Sequence, residues 1–195
     1  APDYKERRTI AKNCNFGVFY GLFAAGLQRT LRFKAGLDMT KEQCEEIIRN
    51  LKAGYPWLAR WQGAEKLSLR NNCFTQTWLG RRRYLFGIRS QDWGKRSFAE
   101  RCALNTPIQG TAAEILKLAC GRIISGLSSM PWLKPLLQIH DELVFEVPKD
   151  KLDEAVRFIK ACMEAKPFPA FDVPILAEAA AGPTFGELEE LEGLA

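Results

Sequence analysis

The chain has 195 residues, 47% of them apolar, enough to bury a hydrophobic core of one or two domains and too many for a disordered chain. Its longest uncharged run, residues 13–28, contains Asn, Gln and three glycines and is too short and polar to span a bilayer; no apolar stretch follows Lys5, Arg7 and Arg8 as in a signal peptide. Net charge is +5 but unevenly spread: residues 1–36 carry seven Lys/Arg against two acids and residues 149–195 five against ten, so the basic front points to a polyanionic partner. The six cysteines are widely spaced, form no C-x-x-C pair and have no histidine close by, which favours a reduced, cytoplasmic setting over a disulfide framework or a zinc site.

In chain order, the first expected element is a helix from near Lys5 to Gly21. Along it Arg8, Lys12, Phe16 and Tyr20 recur at every fourth residue. A four-residue step on an α-helix turns about 400°, so successive members drift by about 40° and share one stripe. The stripe reads cation, cation, aromatic, aromatic. Arg8 can fork two phosphate oxygens, Lys12 supplies a point charge and the rings offer stacking area, a combination that suits a nucleoside triphosphate. Two solvated cations followed by two core aromatics would show the same spacing. Gly17 and Gly21 add weight to the first reading, because glycine within a helix costs roughly 1 kcal/mol relative to alanine and calls for a reason such as close approach of a ligand or base.

A short helix follows around Phe23–Phe33, ended by Gly36 and Asp38. Thr40 to Gln43 form a capping box, and Ile47, Ile48 and Leu51 mark the buried face of the helix behind it, up to Gly54 and Pro56. A helix from Trp57 to about Arg70 is expected to pack Trp57, Leu58 and Trp61. Two short strands then flank Gly80. After Gly94 comes a helix to about Asn105, a break at Pro107, and a longer helix from Thr111 to Leu127. Arg101 and Asn105 share a face, which Gln109 joins if the proline only bends the axis. Residues 136–148 read as a hairpin with His140, Asp141 and Glu142 at or beside the turn and Leu143, Phe145 and Val147 facing one way. Acids at a turn can simply favour the turn, but an acid held at a strand junction also offers the hard oxygen and rigid backing that a magnesium ion requires. A helix from about Asp150 to Ala165, a strand over residues 172–179 and a loose acidic tail after Gly182 complete the pattern.

Three ordered segments carry a resemblance. The string RRTIAKNCNFGVFYG at residues 7–21 resembles the nucleotide-binding fingers helix of the bacterial DNA polymerase I family, family A, whose pattern is R-x3-K-x3-F/Y-x3-Y-G. ERCALNTPIQGTAAEILKLA at 100–119 is similar to the palm helix that touches template and primer, and LLQIHDELVFEVP at 136–148 to the family's motif C. TWLGRRRYLFGI fits the loop between fingers and palm, and the likeness runs from about Asp3 to Pro183.

The resemblance implies an α+β chain: mostly helical fingers over residues 1–97, then the C-terminal part of the palm over 98–195, with part of an antiparallel sheet and flanking helices. It implies template-directed nucleotidyl transfer of deoxynucleotides to a primer 3′ end in DNA replication or repair, with primer-template DNA and deoxynucleoside triphosphates as partners and two Mg²⁺ ions as cofactor. Arg8 and Lys12 would hold the triphosphate and, with Asp141, form the catalytic set, Lys12 donating a proton to pyrophosphate. Phe16 would pack on sugar and base, and Tyr20 would close the pocket beside the template. Arg101, Asn105 and Gln109 would meet the minor groove, where the N3 and O2 acceptors sit at similar places in every base pair, so that donors there test pair geometry without reading sequence. Arg81 and Arg82 would add DNA contacts, His140 would support the primer terminus, and Asp141 would hold metal with Glu142 assisting.

The chain departs from the family pattern at one place: it has no D-x-S-x-x-E stretch, the motif A that supplies the first catalytic aspartate. Asp3 is no substitute, since it stands at the entry to the fingers helix and not on an extended apolar strand. The chain alone is therefore expected to be almost inactive, as a piece of a longer polymerase or one subunit of a split one. A second polypeptide would carry motif A, the thumb and the rest of the palm; Ala at the first position fits a processed or excised piece. A non-catalytic DNA-binding module that keeps the fold is the alternative, although binding alone needs neither Lys12 nor Asp141. A single-subunit RNA polymerase would share the fingers-helix logic, but QIHDELVFEVP and NTPIQGTAAE suit the DNA enzymes better.

Overall fold

A computed structural model describes residues 2–191, with the side chains of Pro2, Asp3, Lys5 and Glu6 outside the description. The chain divides into two compact units, Ala1–Thr111 and Ala112–Ala195. Among the described residues no helix is long and apolar enough to cross a membrane.

The first unit opens with α1 (Pro2–Phe19), α2 (Ala24–Ala35), α3 (Lys41–Gly54) and α4 (Pro56–Asn72). In α1 the apolar stripe Ile10, Cys14, Val18 runs at four-residue spacing, and Cys14 and Val18 are buried. Cys14 joins Ala24, Leu27, Leu31 and Cys44 in a core edged by Leu22, Ile47, Ile48 and Leu51. Burial, and then the neighbouring Cys44, push the Cys14 thiol above its ordinary value, so it stays a neutral packing group. The capping box at the start of α3 forms as expected: the Gln43 N–H donates to Thr40 Oγ1 and the Thr40 N–H to Gln43 Oε1. The expectation for the next helix is half corrected. Leu58 is buried, but Trp57 is exposed and carries the Arg60 guanidinium 4.8 Å from its ring centre. The inward stripe of α4 is Leu58, Gln62 and Leu69, and Trp57 lies one residue, about 100°, off it.

The strands around Gly80 are β1 (Phe74–Gln76) and β2 (Arg82–Tyr84), antiparallel, with Phe74 opposite Tyr84 and Gln76 opposite Arg82. A short 3₁₀ turn at Phe86–Arg89 leads to α5 (Trp93–Asn105), capped by Asp92, whose Oδ1 accepts from the Gly94 and Lys95 N–H groups. Leu69, Cys73, Leu85, Ile88, Ala99, Cys102 and Ala103 form the second core of this unit.

The expected break at Pro107 is not there. Thr106–Gly110 is a π-helical turn joining α5 to α6 (Thr111–Gly126), so the proline is absorbed and not used as a stop. Proline has no N–H, and the Ala103 carbonyl, the i−4 acceptor such a group would have used, accepts from the buried Thr75 hydroxyl at 3.2 Å instead. Thr106 Oγ1 donates to the Cys102 carbonyl at 2.8 Å, adding to the bond that carbonyl already accepts from the Thr106 N–H.

In the second unit, α6 is followed by β3 (Lys134–Ile139), β4 (Glu142–Glu146) and α7 (Leu152–Glu164). The β3–β4 hairpin is antiparallel, with a register shift between Pro135 and Leu137. Arg122 of α6 closes the far end of α7, donating to the carbonyls of Cys162, Ala165 and Lys166 at 3.0–3.2 Å. The strand expected over 172–179 does not form. Pro174 lacks a donor, no strand pairs with the segment among the described residues, and Val173 and Leu176 remain exposed. Past it, the acidic tail is less loose than expected: it folds back so that β5 (Ala180–Ala181) pairs with β6 (Glu189–Glu190), while residues 192–195 lie outside the described residues.

Candidate functional site

The four-residue comb lies where helical geometry puts it. Arg8, Lys12 and Phe16 sit two residues out of phase with Ile10, Cys14 and Val18, hence about 200° around the helix from the buried stripe. All three are exposed, Phe16 at 60%, which removes the reading of that ring as core. Tyr20 stands just past the last turn and is half-buried.

What ends α1 also aims Tyr20. Gly21 takes φ +81°, a conformation a side chain would resist, and a Cβ there would come 2.8 Å from Leu104 Cδ1. The Leu22 N–H returns to the Gly17 carbonyl at 2.8 Å, and the Leu22 side chain fills the space over Gly17, where a Cβ would meet it at 2.6 Å. Both glycines thus accommodate leucine side chains of the chain itself. Gln62, buried on α4, donates to the Val18 and Phe19 carbonyls at 2.7 and 2.9 Å and satisfies the end of the helix just before Tyr20. Sequence reasoning passed over Gln62; its signal is a single amide on an otherwise apolar stripe with Leu58 and Leu69.

Two separately read motifs meet here. Gln109, on the π turn, is exposed, and its Nε2 donates to Tyr20 Oη at 3.5 Å, the long limit of a hydrogen bond. Arg101 and Asn105, both half-buried, lie on α5 behind it, and Arg101 Nη1 donates to Ser97 Oγ at 2.7 Å. Arg81 and Arg82 are exposed at the β1–β2 hairpin. Arg82 stacks 4.6 Å from the centre of the Phe74 ring, while Arg83 reaches Thr106 Oγ1 at 3.5 Å. A basic groove of about 420 Å³ opens beside Gly21, with Lys66 and Arg70 ion-paired to Glu100 at 3.1 and 2.9 Å. Burial works to raise the Glu100 carboxyl, but hydrogen bonds and charge from Arg70 and Lys66 outweigh it and hold the group below its ordinary value.

In the second unit, His140 and Asp141 are the two loop residues of the hairpin, between the facing pair Ile139 and Glu142. His140 takes φ +54°, which a non-glycine residue adopts only at some cost, so backbone strain falls on a residue singled out from sequence. His140, Asp141 and Glu142 are all exposed. The two adjacent carboxylates are hard-oxygen donors of the kind magnesium takes, yet no group of three or more His, Cys, Asp or Glu able to hold a metal occurs among the described residues. They make a fitting but incomplete donor set.

Residues 3–187 match the family model for DNA polymerase family A. Among curated relatives, the thermostable DNA polymerase I of Thermus filiformis is 38% identical over 185 residues, covering 92% of this chain and 20% of that protein. DNA polymerase I of Geobacillus stearothermophilus is 35% identical, covering 91% of this chain and 20% of its own length. A solved structure described as the POL domain of Pol1 from M. smegmatis, in complex with DNA primer-template and dNTP, superimposes with a TM-score of 0.76 at 32% identity, over 86% of this chain and 28% of that one. The chain spans about a fifth of the length of the curated relatives it matches. With an α+β build and a family match running through nearly all its residues, the chain belongs to DNA polymerase family A.

Proposed function

We propose that this chain supplies the fingers, residues 1–97, and the C-terminal part of the palm, residues 98–195, for template-directed DNA synthesis in the cytoplasm. The observation that carries the reading is the exposed comb of α1 ending at Tyr20, where Gln109 from a distant motif meets it. The solved neighbour's bound primer-template and dNTP support the same choice of ligands.

In this reading Arg8 forks the triphosphate, Lys12 neutralises it and gives a proton to the departing pyrophosphate, and Phe16 packs on sugar and base. Tyr20 closes the pocket beside the template. Arg101, Asn105 and Gln109 probe the minor groove, Arg81 and Arg82 hold phosphates, and His140 orients the primer end. The primer 3′ hydroxyl, its proton passing to water, attacks the α-phosphorus in line; the bond to the bridging oxygen breaks, and its electron pair leaves with pyrophosphate, which takes the proton from Lys12. Asp141, with Glu142 beside it, would hold Mg²⁺, which when bound stabilises charge on the attacking and leaving oxygens. The second essential carboxylate comes from a polypeptide carrying motif A, the thumb and the rest of the palm.

Primer extension in a complex reconstituted with that polypeptide tests the reading. Lys12→Ala should slow incorporation roughly 10²-fold with little change in DNA affinity, as loss of a general acid requires, and Asp141→Ala should abolish it. Parent-like rates in either variant overturn the assignment. Tight DNA binding without extension by the complex would favour the non-catalytic module.

A further inference from the structure

Gln62 is a buried amide on a face whose other buried members are apolar: Leu58 and Leu69 share the inward side of α4 with it, and it is 5% exposed. A methionine there would fill a similar volume without the cost of taking an amide out of water, so the amide is accounted for by what it bonds. Its Nε2 donates to the Val18 carbonyl at 2.7 Å and to the Phe19 carbonyl at 2.9 Å. Both partners are acceptors, which turns the nitrogen of the amide toward α1, and the two hydrogens on that nitrogen suffice for the pair.

The two carbonyls have different consequences. Val18 is fully buried, and its carbonyl also accepts the Gly21 N–H at 3.0 Å. The Phe19 carbonyl belongs to the planar peptide group that carries the Tyr20 N–H, so a donor fixed on it sets the direction in which Tyr20 leaves the helix. Water could solvate the end of α1 equally well, but it would not aim it. At the tip of the side chain the hold is weak, since the Tyr20 hydroxyl meets Gln109 at 3.5 Å. Tyr20 is therefore placed from its base, by a residue of another helix that is itself too buried to meet a ligand.

We infer that Gln62 is a positioning residue: by holding the Val18 and Phe19 carbonyls it sets where Tyr20 closes the nucleotide pocket, and so how strongly a matched deoxynucleotide is preferred to a mismatched one. The inference rests on the polymerase reading of the chain. A side chain that closes a pocket loses its effect over short distances, because a displacement of about 1 Å can cost up to about 10²-fold in rate. Freed at its base, Tyr20 would still be present but would no longer favour the matched geometry.

The test measures kcat/KM for matched and mismatched deoxynucleotides in the complex reconstituted with the motif A polypeptide. Gln62→Met fills a similar volume and removes both donors. It should lower the matched-to-mismatched ratio about tenfold, through a higher KM for the matched nucleotide with kcat within about twofold of the parent. Gln62→Glu turns acceptors on acceptors and should lower the ratio at least as far. Leu31→Val, a change in the fully buried core that touches no part of the pocket, should cost stability and leave the ratio alone. As a readout independent of catalysis, hydrogen exchange on the 195-residue chain should show the Gly21 and Leu22 amides exchanging about tenfold faster in Gln62→Met, with those of Leu27 and Leu31 at the parent rate. A parent-like ratio in Gln62→Met, an equal fall in Leu31→Val, or exchange that rises in α2 as much as at Gly21 would each overturn the inference. A parent complex that extends no primer overturns the polymerase reading and this inference with it. Extension that Lys12→Ala slows and whose selectivity Gln62→Met leaves unchanged removes the role of Gln62 alone.

Discussion

Phe16 shows how much a single exposed ring can decide. Its position on α1 puts an aromatic face in solvent four residues beyond Lys12, where the sugar of a nucleotide anchored by Lys12 and Arg8 would lie. Phenylalanine presents no hydroxyl, so it cannot replace the hydrogen-bonding group that a dideoxynucleotide lacks. Phe16→Tyr should therefore raise the efficiency of dideoxynucleotide incorporation relative to deoxynucleotide incorporation in the reconstituted enzyme, with little effect on deoxynucleotides alone. Measuring both efficiencies checks it, and an unchanged ratio places the ring outside the sugar pocket. The comb was legible in the sequence because a four-residue period maps onto one helical stripe whatever the tertiary surroundings. Gln62 was not. Its role depends on two carbonyls more than forty residues away, at the end of a helix it does not belong to.

At the scale of elements, the largest departure from the sequence reading is the π turn at Thr106–Gly110. A proline inside a helical pattern signals a break because its missing N–H strands an acceptor; here Thr75, from β1, supplies the donor. That compensation is long-range and leaves no periodic trace. Local signals were readable for the same reason in reverse: the capping box and the two-residue hairpin loop are each complete within a few residues. The segment over 172–179 carries the composition of a strand, but a strand exists only with a partner, and none pairs with it among the described residues. Thr75→Val keeps the shape and removes the hydroxyl that bonds the buried Ala103 carbonyl. It should destabilise the chain by about 1–3 kcal/mol in urea denaturation, and Thr75→Ser should restore most of the loss. Because the π turn carries Gln109, Thr75→Val in the reconstituted enzyme should also raise KM for primer-template more than it lowers kcat. A loss below about 0.5 kcal/mol would mean that Pro107 is accommodated without Thr75.

Taken as a whole molecule, the chain separates its proposed functions along its length. The comb, the arginine hairpin and the basic groove belong to the first compact unit, while the acidic hairpin loop belongs to the second. Among the described residues no group of three or more His, Cys, Asp or Glu could hold a metal, and Asp141 and Glu142 are two neighbouring acids; on the proposed reading a second polypeptide supplies the other carboxylate of a two-ion site. Binding and chemistry should therefore come apart. The isolated chain is expected to bind primer-template DNA weakly, with log K falling linearly against log salt at about −0.9 per phosphate neutralised, because counterion release drives that association. Its primer extension should stay near background at any magnesium concentration. Adding a polypeptide that carries D-x-S-x-x-E should restore magnesium-dependent extension without changing the salt slope by more than the phosphates it contacts itself. Fluorescence anisotropy across a salt series and gel-based extension on the same preparation measure both halves. Robust extension by the 195 residues alone would show that the catalytic centre is complete within the chain and that Asp141 has been given the wrong partners, whereas binding indifferent to salt would remove the basic front as the DNA-contacting surface.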